Sequence, residues 1–253
     1  MTLNLKRDSS IQETKDTFQN FTVLPTGIYN CTIKAARVFT SSGGAHAIEL
    51  IGHIPTLDKE VEYKEIFYIT NRQGQVYYTN SQGKKNYLPG FDLMDKLCMI
   101  ACGAPLNDLY GATEERALKV YNFEEGREVT EMVPVITPLQ GKQVKLGILH
   151  VKENKQKRAD DGSYYATSEV KNSNSANVVF DTEGFTYHER LNKAETPTAI
   201  GNWKNRYPTD YILDKTDTAK NSVSSADKGQ GGTPPWNQSG NKDMGSESTS
   251  LFS

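Results

Sequence analysis

Cationic and aromatic residues combine in one predicted hairpin, between residues 142 and 170. Its tip reads KENKQKRADDGS, and the strand that follows opens with two tyrosines. Cations neutralise phosphates and release counterions, while exposed rings stack on unpaired bases for roughly 1 to 3 kcal/mol each. The pattern predicts a surface for single-stranded nucleic acid, although a solvated tip beside sheet-covering tyrosines would look the same. The candidate residues are Lys142, Lys145, Lys152, Lys155, Lys157, Arg158, Tyr164 and Tyr165.

Two further segments, 72–87 and 202–208, repeat this combination. Each is weak evidence alone, because tyrosine is common in strands and lysine is common in turns. Three such groups on one chain favour binding more than one group does. The candidates are Arg72, Tyr77, Tyr78, Lys84, Lys85 and Tyr87 in the first segment, and Trp203, Lys204, Arg206 and Tyr207 in the second.

Signatures of catalysis and of cofactor binding do not occur in the sequence. The Gly-Lys pairs at 83–84 and 141–142 are not followed by Ser or Thr, so neither ends a phosphate-binding loop. Cys98 and Cys102 stand four apart without a nearby histidine, which favours buried thiols over a metal pair. We therefore predict a binding protein that is not an enzyme and needs no metal or cofactor.

Composition narrows the class of protein. The 253 residues are 36% hydrophobic and carry a net charge of -2, which argues against a uniformly basic, duplex-coating protein. A local basic groove stays compatible with that charge. Three cysteines make no disulfide framework, and no apolar run is long enough to span a bilayer. We expect a soluble, cytoplasmic protein.

Hydrophobic spacing predicts the elements that must position these residues. Apolar residues alternate from Thr26 onward and place Tyr29, Cys31, Ile33 and Ala35 on one face, which is the pattern of a half-buried strand. Leu93, Met94 and Leu97 instead follow helical spacing, and Gly103 ends that run. The predicted elements are strands near 27–35, 46–54, 61–69, 130–136, 142–151, 163–170 and 176–180, one well-defined helix at 91–102, and a weaker helix near 112–120.

Strands grouped around one helix predict a mainly β fold. Their order, three strands, a helix and two strands, is that of an OB-fold-type Greek-key barrel, here with extended loops. Residues 1–20 are polar and predict a flexible N-terminal arm before a DNA-binding domain at 21–215. Residues 216–253 are rich in Gly, Ser, Asn and Pro, so they bury too little apolar area to order and predict a disordered C-terminal tail.

With these parts the chain resembles the single-stranded DNA-binding proteins of tailed bacteriophages. The resemblance lies in TGIYNCTIKAARV with AHAIELIG, in KKNYLPGFDLMDKLCMIACG, and in a tail ending DMGSESTSLFS. It implies single-stranded DNA binding with little sequence preference, which protects and organises DNA in phage replication and recombination in the host cytoplasm. It also implies a tail tip that contacts replication, recombination or transcription proteins, with Asp243, Glu247, Leu251 and Phe252 as the contact residues.

Two other functions fit the same residues. The chain could be a transcription or recombination cofactor that acts mainly through tail contacts with a host protein such as RNA polymerase. It could also be a virion structural protein with the tail as a linker. A truncated protein that still coats DNA but loses biological activity would favour the first alternative. No DNA binding at low salt would favour the second.

Overall fold

The structure is a computed structural model that describes residues 23–57, 59–122, 126–159 and 164–216. The described residues form two compact units. The first contains the residues up to Val151 together with Ser173–Leu213, and the second contains Lys152–Asn172 together with the residues from Asp214. The predicted arm, 1–20, and all but the first residue of the predicted tail, 216–253, lie outside the described residues.

Strands dominate the described part of the chain, so the predicted mainly β class is confirmed. Among these residues, no helix has the length and apolar composition that crossing a membrane requires. The elements are β1 Gly27–Thr40, β2 His46–Pro55, β3 Glu60–Tyr68, β4 Tyr77–Thr79, β5 Lys85–Tyr87, α1 Pro89–Cys102, α2 Leu106–Tyr110, β6 Thr113–Asn122, β7 Arg127–Ile136, β8 Gln143–Arg158, β9 Tyr164–Phe180, α3 Tyr187–Leu191, α4 Ala199–Arg206 and β10 Ile212–Asp214, with one turn of 3₁₀ helix at Thr137–Leu139.

Strand β1 is the centre of the main antiparallel sheet. Thr32 pairs with His53 of β2 and with Gln143 of β8, so these two strands lie on opposite edges of β1. The register with β2 shifts between Ile33 and Ala35, which marks a bulge. A bulge adds a residue to one strand and bends it, so β1 curves and can serve different neighbours along its length.

The main core lies between the inner face of this sheet and helix α1. The alternation predicted for β2 is confirmed, and that for β1 is confirmed as far as Ile33, since Cys31, Ile33 and Leu50 are fully buried there. The prediction that Ala35 shares this face is wrong, because the bulge turns Ala35 to the other face and Ala36 takes the inner position. Helix α1 buries Met94 and Leu97 against the inner face. The predicted helix is confirmed as well, including its end, because Gly103 adopts the left-handed conformation (φ 69°) that glycine tolerates best.

A second cluster lies under the hairpin of β6 and β7. These strands pair over their whole length, and Val120 and Val133 pack on Ala35 and Ile51 of the main sheet. The helix predicted near 112–120 is therefore wrong. Its Glu, Arg, Leu and Lys residues favour a helix locally, but the ladder with β7 and the burial of Val120 favour the strand.

The C-terminal helices build a third cluster around Trp203, Leu149 and Phe180. Glu189 holds the two helices together, because its carboxylate accepts hydrogen bonds from the backbone N–H groups of Thr186, Thr198 and Ala199. Partial burial opposes ionisation of Glu189, but these bonds outweigh it and lower the pKa to about 2. The carboxylate is thus a common cap for α3 and α4.

Four turns in the described residues share one five-residue design. In each, the first residue's backbone N–H donates to the carbonyl of the fifth, the fifth residue's N–H donates to the side-chain oxygen of the first, and the fourth residue is a glycine with positive φ. Such loops combine a type I turn with a residue in the left-handed backbone conformation, which glycine adopts most easily. The loops are Ser41–Ala45, Asn71–Gln75, Asn80–Lys84 and Asp181–Phe185.

The predicted closure into a barrel is not confirmed, because the pairing of the described strands leaves the sheet open. Strands β3 and β9 share no backbone ladder. They meet instead through Glu65 of β3, whose carboxylate accepts hydrogen bonds from Ser175 Oγ (2.9 Å) and from the Ala176 N–H (2.8 Å). The Tyr63 hydroxyl also donates to Glu65. Side-chain hydrogen bonds therefore connect β3 to β9, and a closed barrel would require backbone hydrogen bonds between these strands.

Candidate nucleic-acid interface

The hairpin of β4 and β5 presents one face that combines rings and charge. Tyr77 pairs with Tyr87 and Thr79 pairs with Lys85, so these four side chains share a face. Its two ends are fixed by the Asn71 and Asn80 loops, and the Leu88 N–H bonds to the carbonyl of Val76. The side chains are therefore held by a defined backbone.

Lys84 and Lys85 of this hairpin have no acidic residue close to them in the sequence. Residues 71–91 contain no Asp or Glu. Lys85 Nζ lies 4.4 Å from the centroid of the Tyr77 ring and 3.3 Å from its hydroxyl oxygen. Within the described residues, neither Lys84 nor Lys85 forms an ion pair. Arg72 lies beside the turn that follows β1, where a Cβ on Gly43 would be 3.2 Å from Arg72 Nε.

The rings of this region are exposed. Tyr87 is 60% exposed and its ring lies 5.1 Å from that of Phe91, the third residue of α1. Tyr78 is 38% exposed and points to the opposite face of the hairpin. Exposed, supported rings are the kind of surface on which unpaired bases stack.

Two more aromatic residues, which the sequence argument missed, lie on the outer face of the main sheet. Phe39 and Tyr68 both pair with Ala47 and so stand in one row across β1, β2 and β3. The Arg37 guanidinium covers the Phe39 ring at 4.7 Å and bonds to Glu49 at 2.8 Å. The outward position of Tyr68 in the alternation of β3 was a signal that could have identified it. Phe39 gave no such signal, because it has the sequence parity of Cys31 and Ile33 and faces outward only after the bulge between Ile33 and Ala35.

Two predicted cations lie at the start of β8. Lys142 is exposed and close enough to Cys102 to oppose the effect of burial, which raises the pKa of that thiol. Lys145 donates from Nζ to the carbonyl of Thr182 at 2.6 Å. Lys145 is therefore committed to a structural contact, whereas Lys142 has an exposed charge.

The C-terminal cluster separates into a buried and an exposed half. Trp203 is only 8% exposed, and its indole N–H donates to Asn177 Oδ1 at 2.9 Å, so the ring packs as core. Lys204 and Arg206 are exposed. Tyr207 is half-buried, with its ring 5.2 Å from that of Trp203 and the Arg206 guanidinium 5.4 Å from its centroid.

The second unit contains the distal part of the β8–β9 hairpin, where acids offset part of the charge. Lys155 pairs with Glu169 at 2.9 Å, and Lys152 lies 3.7 Å from Asp214. Lys157 is exposed, and Tyr165 is 47% exposed. The side chains of Arg158 and Tyr164 lie outside the described residues.

The tail residues predicted to contact proteins also lie outside the described residues. They are Asp243, Glu247, Leu251 and Phe252. The thiols offer little chemistry, because burial raises the pKa of Cys31 and Cys98 to about 12 and keeps both protonated. Among the described residues, no three His, Cys, Asp or Glu side chains are grouped as metal ligands would be.

Comparisons with protein-family models, with curated proteins and with solved structures find no match to this chain. The site therefore rests on geometry. The structure brings Tyr77, Lys85 and Tyr87 together on one face of the hairpin, and it places Lys204 and Tyr207 beside the same cleft.

Proposed function

We propose that this chain binds single-stranded DNA with little sequence preference, on an OB-type scaffold. The meander of β1, β2 and β3, helix α1, and the neighbouring strands β8 and β9 follow the order of that fold. The Glu65 bonds join β3 to β9 at the position where an OB barrel closes. In this proposal the β4–β5 and β6–β7 hairpins are insertions on either side of the helices.

The observation that carries the proposal is the acid-free hairpin face. Lys84, Lys85, Tyr87 and their neighbours offer positive charge and exposed rings without a carboxylate between residues 71 and 91. Duplex DNA hides its base faces, whereas a single strand exposes them. A surface that pairs lysines with solvent-facing tyrosines therefore suits the single strand better.

The mechanism begins with the phosphate backbone. Lys84 and Lys85 neutralise phosphates and displace condensed counterions, so affinity falls as salt rises. A base then stacks on Tyr87, which contributes roughly 1 to 3 kcal/mol, and every base has a face that can stack. Little sequence preference follows from both steps, because neither reads the hydrogen-bonding edges of the bases.

In the cell, we propose that the protein coats and protects single strands during phage DNA replication and recombination in the host cytoplasm. The resemblance to phage single-stranded DNA-binding proteins supports that role, as does the absence of a catalytic constellation in the sequence. Contacts with replication, recombination or transcription proteins through the tail are part of the same proposal.

The test is a fluorescence-anisotropy titration of labelled oligo(dT) of about thirty nucleotides, over a series of salt concentrations, with duplex DNA and RNA as competitors. We expect tight binding that weakens with salt and that duplex does not displace. Each phosphate contact on a single strand contributes about 0.7 to the slope of log K against log salt. The variant Lys84→Gln/Lys85→Gln should thus reduce the slope by about 1.4.

A matched control replaces two exposed lysines far from the hairpin in sequence, Lys119→Gln/Lys193→Gln. It removes the same charge and should leave the slope unchanged. Equal losses in both double variants would mean that binding follows net charge and not the hairpin. Absence of any binding at low salt would overturn the proposed function.

A further inference from the structure

An open cleft of about 410 Å³ lies between the beginning of β1 and the end of α4. Gly27 and Tyr29 line one side, Lys204 and Tyr207 line the other, and Trp203 contributes to the wall. Small-molecule sites in proteins occupy about 300 to 1,000 Å³, so the cleft has room for one nucleotide.

The walls of the cleft are held in place by contacts outside it. The Tyr29 hydroxyl donates to the carbonyl of Pro25 at 2.7 Å. Thr26 Oγ1 donates to the carbonyl of Tyr211 at 2.6 Å and accepts from the His150 N–H at 2.9 Å. The ring of Tyr207 lies edge-on to that of Tyr211 at 5.1 Å. The cleft is thus formed before any ligand arrives, which lowers the entropic cost of binding.

The chemistry of the lining selects for an anion that carries a flat ring. Of the residues around the cleft, Lys204 brings a positive charge and none brings a carboxylate. Tyr207 supplies a half-buried ring against which a base can lie. This arrangement can therefore bind both the phosphate and the base of a nucleotide.

We infer that this cleft holds one nucleotide of the bound strand, with its base against Tyr207 and its phosphate on Lys204. The inference rests on the proposed function, because the ligand is taken to be part of a single strand. The cleft would give the bound strand a second contact point, apart from the hairpin. Gly27 and Tyr29 lie at the beginning of β1, whereas Arg72 of the hairpin region lies beside the turn that follows the end of β1.

Trp203 reports directly on the cleft. The chain has two tryptophans, and the other is Trp236, so the variant Trp236→Phe makes the emission specific to Trp203. We expect thymidine 5′-monophosphate to quench this emission saturably in the Trp236→Phe protein, and oligo(dT) to do so at lower concentration. Lys204→Gln should lower the affinity for the monophosphate roughly fivefold, which is the effect expected from losing one exposed charge-assisted contact.

Two controls separate this site from the hairpin. Thr209→Phe fills the exposed rim of the cleft and should abolish quenching by the monophosphate. Tyr87→Ala should weaken oligo(dT) but leave quenching by the monophosphate unchanged. If neither ligand quenches Trp203 while oligo(dT) still binds through the hairpin, the inference is wrong and the proposed function stands. If the monophosphate quenches but oligo(dT) does not bind, the cleft stands and the proposed function fails.

A different occupant would also overturn the inference. The chain contains Pro234, Pro235 and Trp236, and Pro-rich segments dock in grooves lined by aromatic rings. A fluorescein-labelled synthetic peptide covering residues 232–237 tests this by anisotropy, because the peptide carries its own tryptophan. If the labelled peptide binds and Thr209→Phe abolishes that binding, while the monophosphate does not quench Trp203, the cleft is a peptide site and the inference is wrong.

Discussion

Removing the Glu65 carboxylate should destabilise the protein strongly and locally, at the meeting of β3 and β9. Glu65→Ala takes away one acceptor from three donors, the Tyr63 hydroxyl, the Ser175 hydroxyl and the Ala176 N–H. Tyr63 is 4% exposed and Ala176 is 7% exposed, so these two donors cannot turn to water. Burial, and then the charge of Glu65, also raises the pKa of Tyr63, so its hydroxyl keeps the donated proton.

The magnitude follows from the two buried donors. A hydrogen bond to a charged group contributes about 1.5 to 3 kcal/mol, and Ser175 adds little because it is only half-buried. Glu65→Ala should therefore cost about 3 to 6 kcal/mol. At about 2 to 4 °C per kcal/mol for a domain of this size, Tm should fall by about 6 to 24 °C.

Differential scanning calorimetry measures the fall in Tm, and hydrogen exchange locates it. The Ala176 amide and its neighbours in β9 should exchange faster, while amides of β6 and β7 keep their rates. Ser175→Ala is the matched control, and it should cost less than about 1 kcal/mol. A Tm within about 1 °C of the parent protein for Glu65→Ala would refute the idea that this carboxylate joins the two strands.

Three further outcomes are expected. Because the pKa of Glu189 is lowered to about 2, the carboxylate contributes its full stabilisation above the pKa that it has in the unfolded chain, and this contribution is lost as pH falls from about 5 toward 2. Glu189→Gln should therefore make the free energy of unfolding depend less on pH in that range. An unchanged pH dependence would contradict the capping role. Gly52→Ala should cost about 1 to 3 kcal/mol in urea unfolding, because the new Cβ overlaps Cys31 Sγ, and Cys31→Ala should recover part of that cost in the double variant. Trp203→Ala should cost about 3 to 5 kcal/mol, measured in the same way, and a loss below 1 kcal/mol would mean that the third cluster is not core.

Local patterns in the sequence correctly predicted those elements whose tertiary contacts favour the same secondary structure as the pattern. The alternation in the first half of β1 and the spacing in α1 each follow from one buried face, so period and burial coincide there. The alternation in β1 fails after Ile33, where the bulge turns Ala35 toward the second cluster. The region of β6 was mispredicted because its residues favour a helix in isolation, and only the ladder with β7 decides otherwise. Helix α3 had a readable signal that was overlooked, the capping box formed by Thr186 and Glu189.

The residue types of the candidate site could be predicted from the sequence, but their arrangement in space could not. The sequence indicated that tyrosines and lysines mix at 77–87, but the shared face of Tyr77, Lys85 and Tyr87 depends on the register of a hairpin. The burial of Trp203 could not be read from its cationic neighbours, because it depends on packing against strands distant in sequence. The row of Phe39 and Tyr68 likewise exists only once three strands are aligned.

The net charge of -2 and the proposed binding of a polyanion are compatible because electrostatics in salt water is local. At physiological ionic strength the field of an exposed charge is screened over about 8 Å, so a phosphate responds to the charges beside it and not to the sum over the chain. Many carboxylates lie on strands away from the hairpin, as Glu62 does on β3 and Glu114 does on β6. Lys155 shows the contrast, since Glu169 beside it already offers a counter-charge. What matters for capture is therefore an uninterrupted stretch without acids, and residues 71–91 provide one.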